Sequence, residues 1–149
     1  MSSKHKILVI TMTVVFLFVA LGLLSIPVRQ NISLRGLVKE VDNIPFPTSI
    51  EKIAIKSAIG DSGGNGNYST LRVVLAVKTD LDKDALEDAL ENINLHFPNH
   101  YAINNNVPIF YVTQCNGTEF KSSRDFKLDF GELRDVSDYS DYYFIEFVE

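Results

Sequence analysis

The stretch ILVITMTVVFLFVALGLLSI, residues 7–26, has no charged side chain and is almost wholly apolar. Fourteen of its positions are Ile, Leu, Val or Phe. At about 1.5 Å of rise per residue, a helix of this length is roughly 30 Å long, which matches the hydrocarbon layer of a bilayer. The stretch therefore predicts a transmembrane helix, and the lipid bilayer is the first partner that we expect for the chain.

Residues 1–6 form a short basic head with Lys4 and Lys6. A cleavable signal peptide has an apolar stretch of only about 7 to 15 residues, so the longer stretch here favours a retained signal-anchor. Cleavage near Ala20, which would give a secreted chain, is the alternative. A core helix of a soluble domain is a third interpretation, disfavoured because the stretch has no polar face.

The basic residues that flank the apolar stretch indicate its orientation only weakly. Lys4 and Lys6 precede it and Arg29, Arg35 and Lys39 follow it, whereas a clear bias would mark the cytoplasmic side. A basic head before a long apolar stretch is typical of an export signal. We therefore expect a single-pass protein of the cell membrane with its C-terminal domain outside the cytoplasm.

Residues 27–49 are predicted to be a juxtamembrane linker with a helical pattern. Leu34, Leu37, Val38 and Val41 recur at the spacing of an amphipathic helix that starts at Ser33. Pro45 and Pro47 lie beyond its expected end. An interfacial or coiled-coil stalk is one interpretation. A short helix packed on the following domain, or a simple spacer, is favoured because one heptad is too short for a coiled coil.

Residues 50–149 are predicted to form a globular domain that begins with two strands. Ile53, Ile55 and Ile59 alternate with polar or small residues, which places them on one face of the first strand. Residues 70–78 form the second strand, whose buried face is predicted to carry Leu71, Val73, Leu75 and Val77. The glycine-rich residues 60–67 predict a hairpin connection between them.

The period then changes to that of a helix, whose apolar stripe holds Leu86, Leu90, Ile93 and Phe97. Thr79 and Asp82 have the spacing of a capping box at its start.

Three further strands are predicted after this helix. The first covers residues 107–115 and returns through a type I′ turn at Asn116-Gly117 into a strand from residue 118 towards residue 129. The last strand covers residues 142–148. The order ββαβββ predicts an α+β domain of two layers, with one main helix on an antiparallel sheet.

Charge and cysteine content exclude several classes of function. All 19 acidic residues lie after residue 26, together with 12 of the 14 basic ones. Nucleic acid is therefore not an expected partner, because phosphate binding needs a positive surface. The single cysteine, Cys115, rules out an internal disulfide and any multi-cysteine metal site.

Motifs for catalysis, metals and cofactors are weak. His96 and His100 are four residues apart, but Pro98 between them ends the helix that would align them on a metal. Cys115, beside a turn, is interpreted as a packing residue. We predict no catalytic, metal-binding or cofactor-binding residues. The expected function is a non-enzymatic binding or accessory domain; alternatives are an envelope hydrolase with carboxylates assembled by the fold, and a small subunit or regulator of a membrane complex.

Acidic and aromatic residues alternate near the C-terminus, and this pattern predicts a partner-contact surface. Its residues are Asp135, Asp138, Tyr139, Asp141 and Tyr142. Tyrosine and carboxylate groups together suit contact with a protein, a peptide or an envelope polymer. The competing interpretation, which we favour, places the aromatic rings in the core and leaves the acids on a solvated loop.

Overall fold

The computed structural model describes residues 3–61, 69–93, 109–122 and 127–148. The chain divides into two compact units, residues 1–32 and residues 33–149. The first unit is helical in its described part, and the second contains a mixed α+β domain. The α+β class and the long apolar helix at the N-terminus are confirmed.

The first helix, α1, spans Ser3–Asp42 without a break. Pro27 lies inside it, and the side-chain amide nitrogen Nδ2 of Asn31 donates a hydrogen bond to the Pro27 carbonyl oxygen at 2.9 Å. Ser33 is therefore in the interior of a helix, and the helix start predicted there is wrong. The apolar stretch and the amphipathic pattern that follows it belong to one element.

The part of α1 within the second unit contributes to the domain core. Leu37 and Val41 of α1, together with Ile44 just after its end, are buried in the same cluster as sheet residues such as Val73 and Ile145. This contact confirms that the amphipathic residues after position 33 pack on the domain, because their apolar side chains are covered by the sheet.

The main sheet has four antiparallel strands in the order β1-β2-β6-β3. Their bounds are Ile50–Asp61 for β1, Ser69–Thr79 for β2, Ile109–Gln114 for β3 and Tyr142–Val148 for β6. One face packs on α1 and on the second helix, α2, which spans Lys83–Asn92. The side chains of β2 predicted to share a face, Leu71, Val73, Leu75 and Val77, all lie in this core.

A β-bulge between Lys52 and Ala54 changes which side chains of β1 lie on each face of the sheet. Ile55 and Ile59 pack on the helical side of the sheet, whereas Ile53 packs on the opposite side. The prediction that Ile53 shares a face with them is wrong, because the extra residue of a bulge shifts the alternation.

Helix α2 is capped by Asp82, whose carboxylate accepts a hydrogen bond from the Ala85 amide at 2.9 Å. Thr79 lies at the end of β2, and its hydroxyl accepts from the Leu81 amide at 3.2 Å. The capping box predicted at Thr79 is therefore wrong. Leu86 and Leu90 of the predicted stripe are buried, and Phe97 lies outside the described residues.

The hairpin predicted at Asn116-Gly117 is also wrong. Strand β3 pairs with β6, while β4, Glu119–Lys121, pairs with β5, Lys127–Asp129, in a separate two-stranded sheet. Gly117 does not have the positive φ angle that a type I′ turn requires. Burial explains the outcome: residues 143–147 of β6 are all buried and suit a central strand, whereas only Phe120 of β4 is buried.

A second core covers the face of the sheet opposite the helices. It joins Val74, Ala76 and Phe144 of the sheet to Phe120 of β4, to Leu133 of a 3-10 helix at Gly131–Leu133, and to Phe130 directly before that helix. The rings of Phe130 and Phe144 lie 4.9 Å apart between centroids. Strands β2 and β6 are therefore covered on both faces.

Candidate functional site

The apolar surface of α1 is the most exposed hydrophobic feature of the described chain. Phe16 and Phe18 are each 72% exposed, and the most apolar window of the helix has no buried residue. By length and composition this helix is able to cross a membrane, which fits an anchor or a signal sequence near the N-terminus. The interpretation as a core helix of a soluble domain does not fit its exposed side chains.

The predicted acidic surface lies between the 3-10 helix and the start of β6. Asp135, Asp138 and Asp141 are exposed. Two of these carboxylates bind Ser140: Asp138 accepts from its amide at 2.9 Å, and Asp141 accepts from its hydroxyl at 3.3 Å. Asp138 and Asp141 thus already stabilise the local turn around Ser140 through hydrogen bonds.

The two tyrosines of this surface have structural contacts. The Tyr139 hydroxyl donates to the Leu133 carbonyl oxygen at 3.0 Å, and its ring lies 6.2 Å from that of Tyr142 in an edge-to-face arrangement. The Lys78 ammonium group lies 5.7 Å from the centroid of the Tyr142 ring. A cationic partner would therefore compete with Lys78 for that ring. Whether the surface binds a partner stays a prediction.

Cys115 is buried beside Phe144 in the second core, and its amide donates to the Tyr142 carbonyl oxygen at 2.9 Å. Burial raises the pKa of its thiol to about 12. The thiol is therefore protonated at neutral pH, which suits a packing residue and not a nucleophile. His96 and His100 lie outside the described residues, and within the described ranges no group of three or more His, Cys, Asp or Glu is placed to hold a metal ion.

Glu132 and Lys56 form an ion pair between the 3-10 helix and β1. Lys56 Nζ lies 2.7 Å from Glu132 Oε1, and this hydrogen bond is the main cause that lowers the pKa of the Glu132 carboxyl group. A general acid needs a raised pKa, so this carboxylate does not have the property that the hydrolase hypothesis requires.

An open groove lies between strands β3 and β4, and we call it the trench. It consists of two adjoining cavities of about 380 and 400 Å³, which share Thr113, Phe120 and Lys121. The first cavity lies beside Asn116 and Phe144, and the second extends over the sheet to Arg72 and Glu146. These volumes fall in the range of small-molecule sites.

A buried ion pair lies at the floor of the second cavity. The side chains of Arg72 on β2 and Glu146 on β6 are each only 9% exposed, and the guanidinium donates a hydrogen bond to the carboxylate. The same Arg72 nitrogen donates to the Ser122 hydroxyl at 2.6 Å. Arg72 faces Val148 in register and Val74 faces Glu146, so the two charged residues are diagonal neighbours on one face.

Sequence reasoning missed this pair, although a signal was present. The strand Thr70–Lys78 has one charged residue in its interior, Arg72, and the strand Tyr142–Val148 has one, Glu146, of opposite sign. Charges within apolar strands that are buried on both faces need partners. Comparing charged positions between predicted strands would have identified the pair.

Comparisons of the chain with protein-family models, with curated proteins and with solved structures found no match.

Proposed function

We propose that this chain is a single-pass membrane protein that holds a small, non-enzymatic α+β binding domain on the extracytoplasmic side of the cell membrane. The domain acts through contacts with a protein, a peptide or an envelope polymer. One observation carries the proposal: an uncharged helical stretch of bilayer length, whose most apolar window has no buried residue in the structure.

The free energy of insertion supports retention of residues 7–26 in lipid. At about −0.3 to −0.6 kcal/mol for each Ile, Leu, Val or Phe near the helix centre, the stretch favours insertion by several kcal/mol. The domain adds two features suited to binding, which are the open trench and the exposed carboxylates of residues 135–141.

Membrane retention is tested by a double substitution, Leu17→Arg with Leu21→Arg. Each arginine costs about 2.5–3.5 kcal/mol near the helix centre, so the pair offsets most of the insertion energy. We expect the unmodified chain to stay in the pellet after a carbonate wash and the double variant to move to the supernatant. The matched control, Leu17→Val with Leu21→Val, should stay in the pellet.

Recovery of the unmodified, intact chain in the carbonate supernatant would contradict the anchor. Orientation and processing need a second measurement. An epitope appended after Glu149 should be detected on intact cells, and the mass of the mature chain should include residues 1–26. A shortened chain released into the medium would instead indicate a cleaved signal.

A further inference from the structure

Among the described residues that line the trench, positive and negative side chains are equal in number. Arg72 pairs with Glu146, and Lys121 Nζ lies 3.2 Å from Glu119 Oε2. Because each charge has a partner of opposite sign, a ligand with a large net charge gains little Coulomb energy there. The trench therefore favours a neutral ligand.

Hydroxyl and amide groups supply much of the remaining lining. They belong to Thr70, Thr113, Asn116, Thr118 and Ser122. The side-chain amide of Gln114, which also lines the trench, already donates to the Ser140 carbonyl oxygen at 3.0 Å. Hydroxyl groups donate and accept, and amides offer both functions, whereas the Arg72 guanidinium of the floor already donates to Glu146 and Ser122. A ligand that satisfies such a surface must itself present donors and acceptors at closely spaced positions.

Tyr111 gives the trench one exposed aromatic ring. It lies on β3 directly opposite Glu146 in register and is 56% exposed. Aromatic rings of this kind offer an apolar face together with a polar hydroxyl. A ligand ring with an apolar face and hydroxyl groups at its edge would pack on Tyr111 and reach Glu146 beside it.

The two phenylalanines of the trench do not offer open side-chain pockets. Phe120 is 3% exposed and Phe144 is 2% exposed, because both are occupied in the second core. A peptide that binds as an added strand needs pockets for alternate side chains. The lining therefore favours a hydroxyl-rich ligand over an extended peptide.

From this geometry we propose that the trench between β3 and β4 binds a neutral saccharide chain. The inference rests on the proposed function, since it names the polymer that the displayed domain holds. The saccharide lies across Thr113 from one cavity to the other, with a sugar ring on Tyr111 and its hydroxyl groups towards Thr113, Ser122 and Glu146.

The test uses the full chain in lipid nanodiscs, since glycoside detergents would add free sugar groups. Chitotetraose, cellotetraose and maltotetraose are titrated separately by calorimetry, with a neutral Gly/Ser/Thr peptide of similar mass as the competing ligand. We expect saturable binding of at least one tetrasaccharide and none of the peptide. Binding to none of the three sugars up to millimolar concentration overturns the proposal, as does binding of the peptide alone.

Variants locate the binding site. Tyr111→Ala should lower the affinity for the saccharide by up to about tenfold through loss of the ring contact. Thr113→Val should lower this affinity through loss of a hydroxyl group. Ile109→Ala is the matched control, because Ile109 is an exposed residue of the same strand and does not line the trench. All three positions are exposed, so circular dichroism should show an unchanged fold.

Two outcomes would overturn the location. Equal affinities of Tyr111→Ala and Ile109→Ala would place the sugar elsewhere, and loss of binding confined to Asp135→Asn with Asp138→Asn would assign it to the acidic surface. If the carbonate wash releases the chain, the same titrations are run on the full chain without nanodiscs, so the carbonate wash and the sugar titration can fail independently.

Discussion

Arg72 and Glu146 are the charged residues that the described part of the domain buries in its sheet. Desolvating two such groups costs several kcal/mol for each ion, and their mutual attraction only partly offsets this. A pair of similar-sized apolar side chains would often stabilise the fold as well. The polar floor of the trench is therefore not explained by stability alone, which is consistent with a binding role.

At the same scale, the state of Cys115 is open to a direct measurement. Because burial raises the pKa of its thiol to about 12, the thiolate that attacks thiol reagents is scarce at pH 8. We expect a disulfide reagent such as dithionitrobenzoate to react very slowly with the folded chain. In guanidinium, where the chain is unfolded, the reagent should react with one thiol per chain. Rapid reaction of the folded chain would contradict the buried thiol.

The raised pKa of Cys115 also has a consequence for stability. The unfolded thiol loses its proton near pH 9, whereas the folded thiol keeps it up to about pH 12, so the folded state binds more protons between these values. The contribution of this thiol to the free energy of unfolding is complete below pH 9 and falls as pH rises towards 12. Cys115→Ala should lack this part of the alkaline decline.

Among the elements, α2 owes its start to one side chain. Asp82 accepts from the Ala85 amide, so Asp82→Ala should lower the free energy of unfolding by about 1 kcal/mol. Asp80→Ala, an exposed change two residues earlier, should stay within about 0.5 kcal/mol. Thermal unfolding of the full chain in zwitterionic micelles measures both. A larger loss at Asp80 would place the cap elsewhere.

Elements with a clear period were predictable from sequence, whereas their pairing was not. The alternation of Leu71, Val73, Leu75 and Val77 located β2 and its buried face correctly. The turn preference of Asn116-Gly117 is a local signal, and it lost to the non-local burial of β6, which takes the place beside β3. The bulge next to Ile53 likewise depends on how β1 pairs with β2, and the hydrophobic pattern of β1 alone does not reveal that pairing.

The trench could not be predicted from the period of single strands, because it forms between two sheets. Its walls come from β3 and β4, which the sequence predicted to be hydrogen-bonded to each other. The sequence shows the two charged residues of its floor, Arg72 and Glu146. Their ion pair, however, depends on the register of β2 and β6. Asp135, Asp138 and Asp141 are exposed, which fits both a contact surface and a solvated loop, so their role stays a prediction.

For the molecule as a whole, the C-terminal part of α1, from residue 33 on, contributes to the domain core. Leu37 is 2% exposed, so Leu37→Ala should destabilise the domain by about 2–5 kcal/mol through lost burial and a residual cavity. Lys39→Ala, an exposed change in the same turns, should have little effect. Chemical unfolding of the full chain in micelles compares them. Similar stabilities would show that this contact contributes little.

The position of β6 between β2 and β3 sets an order of events during synthesis. Strand β3 is made before β6, and β6 is its one neighbour among the described strands of the sheet. The four-stranded sheet therefore waits for residues 142–148 to leave the ribosome. The apolar residues 7–26 emerge long before that. A nascent chain recognised through them would reach an export channel with its domain still unfolded, as threading through a narrow pore requires.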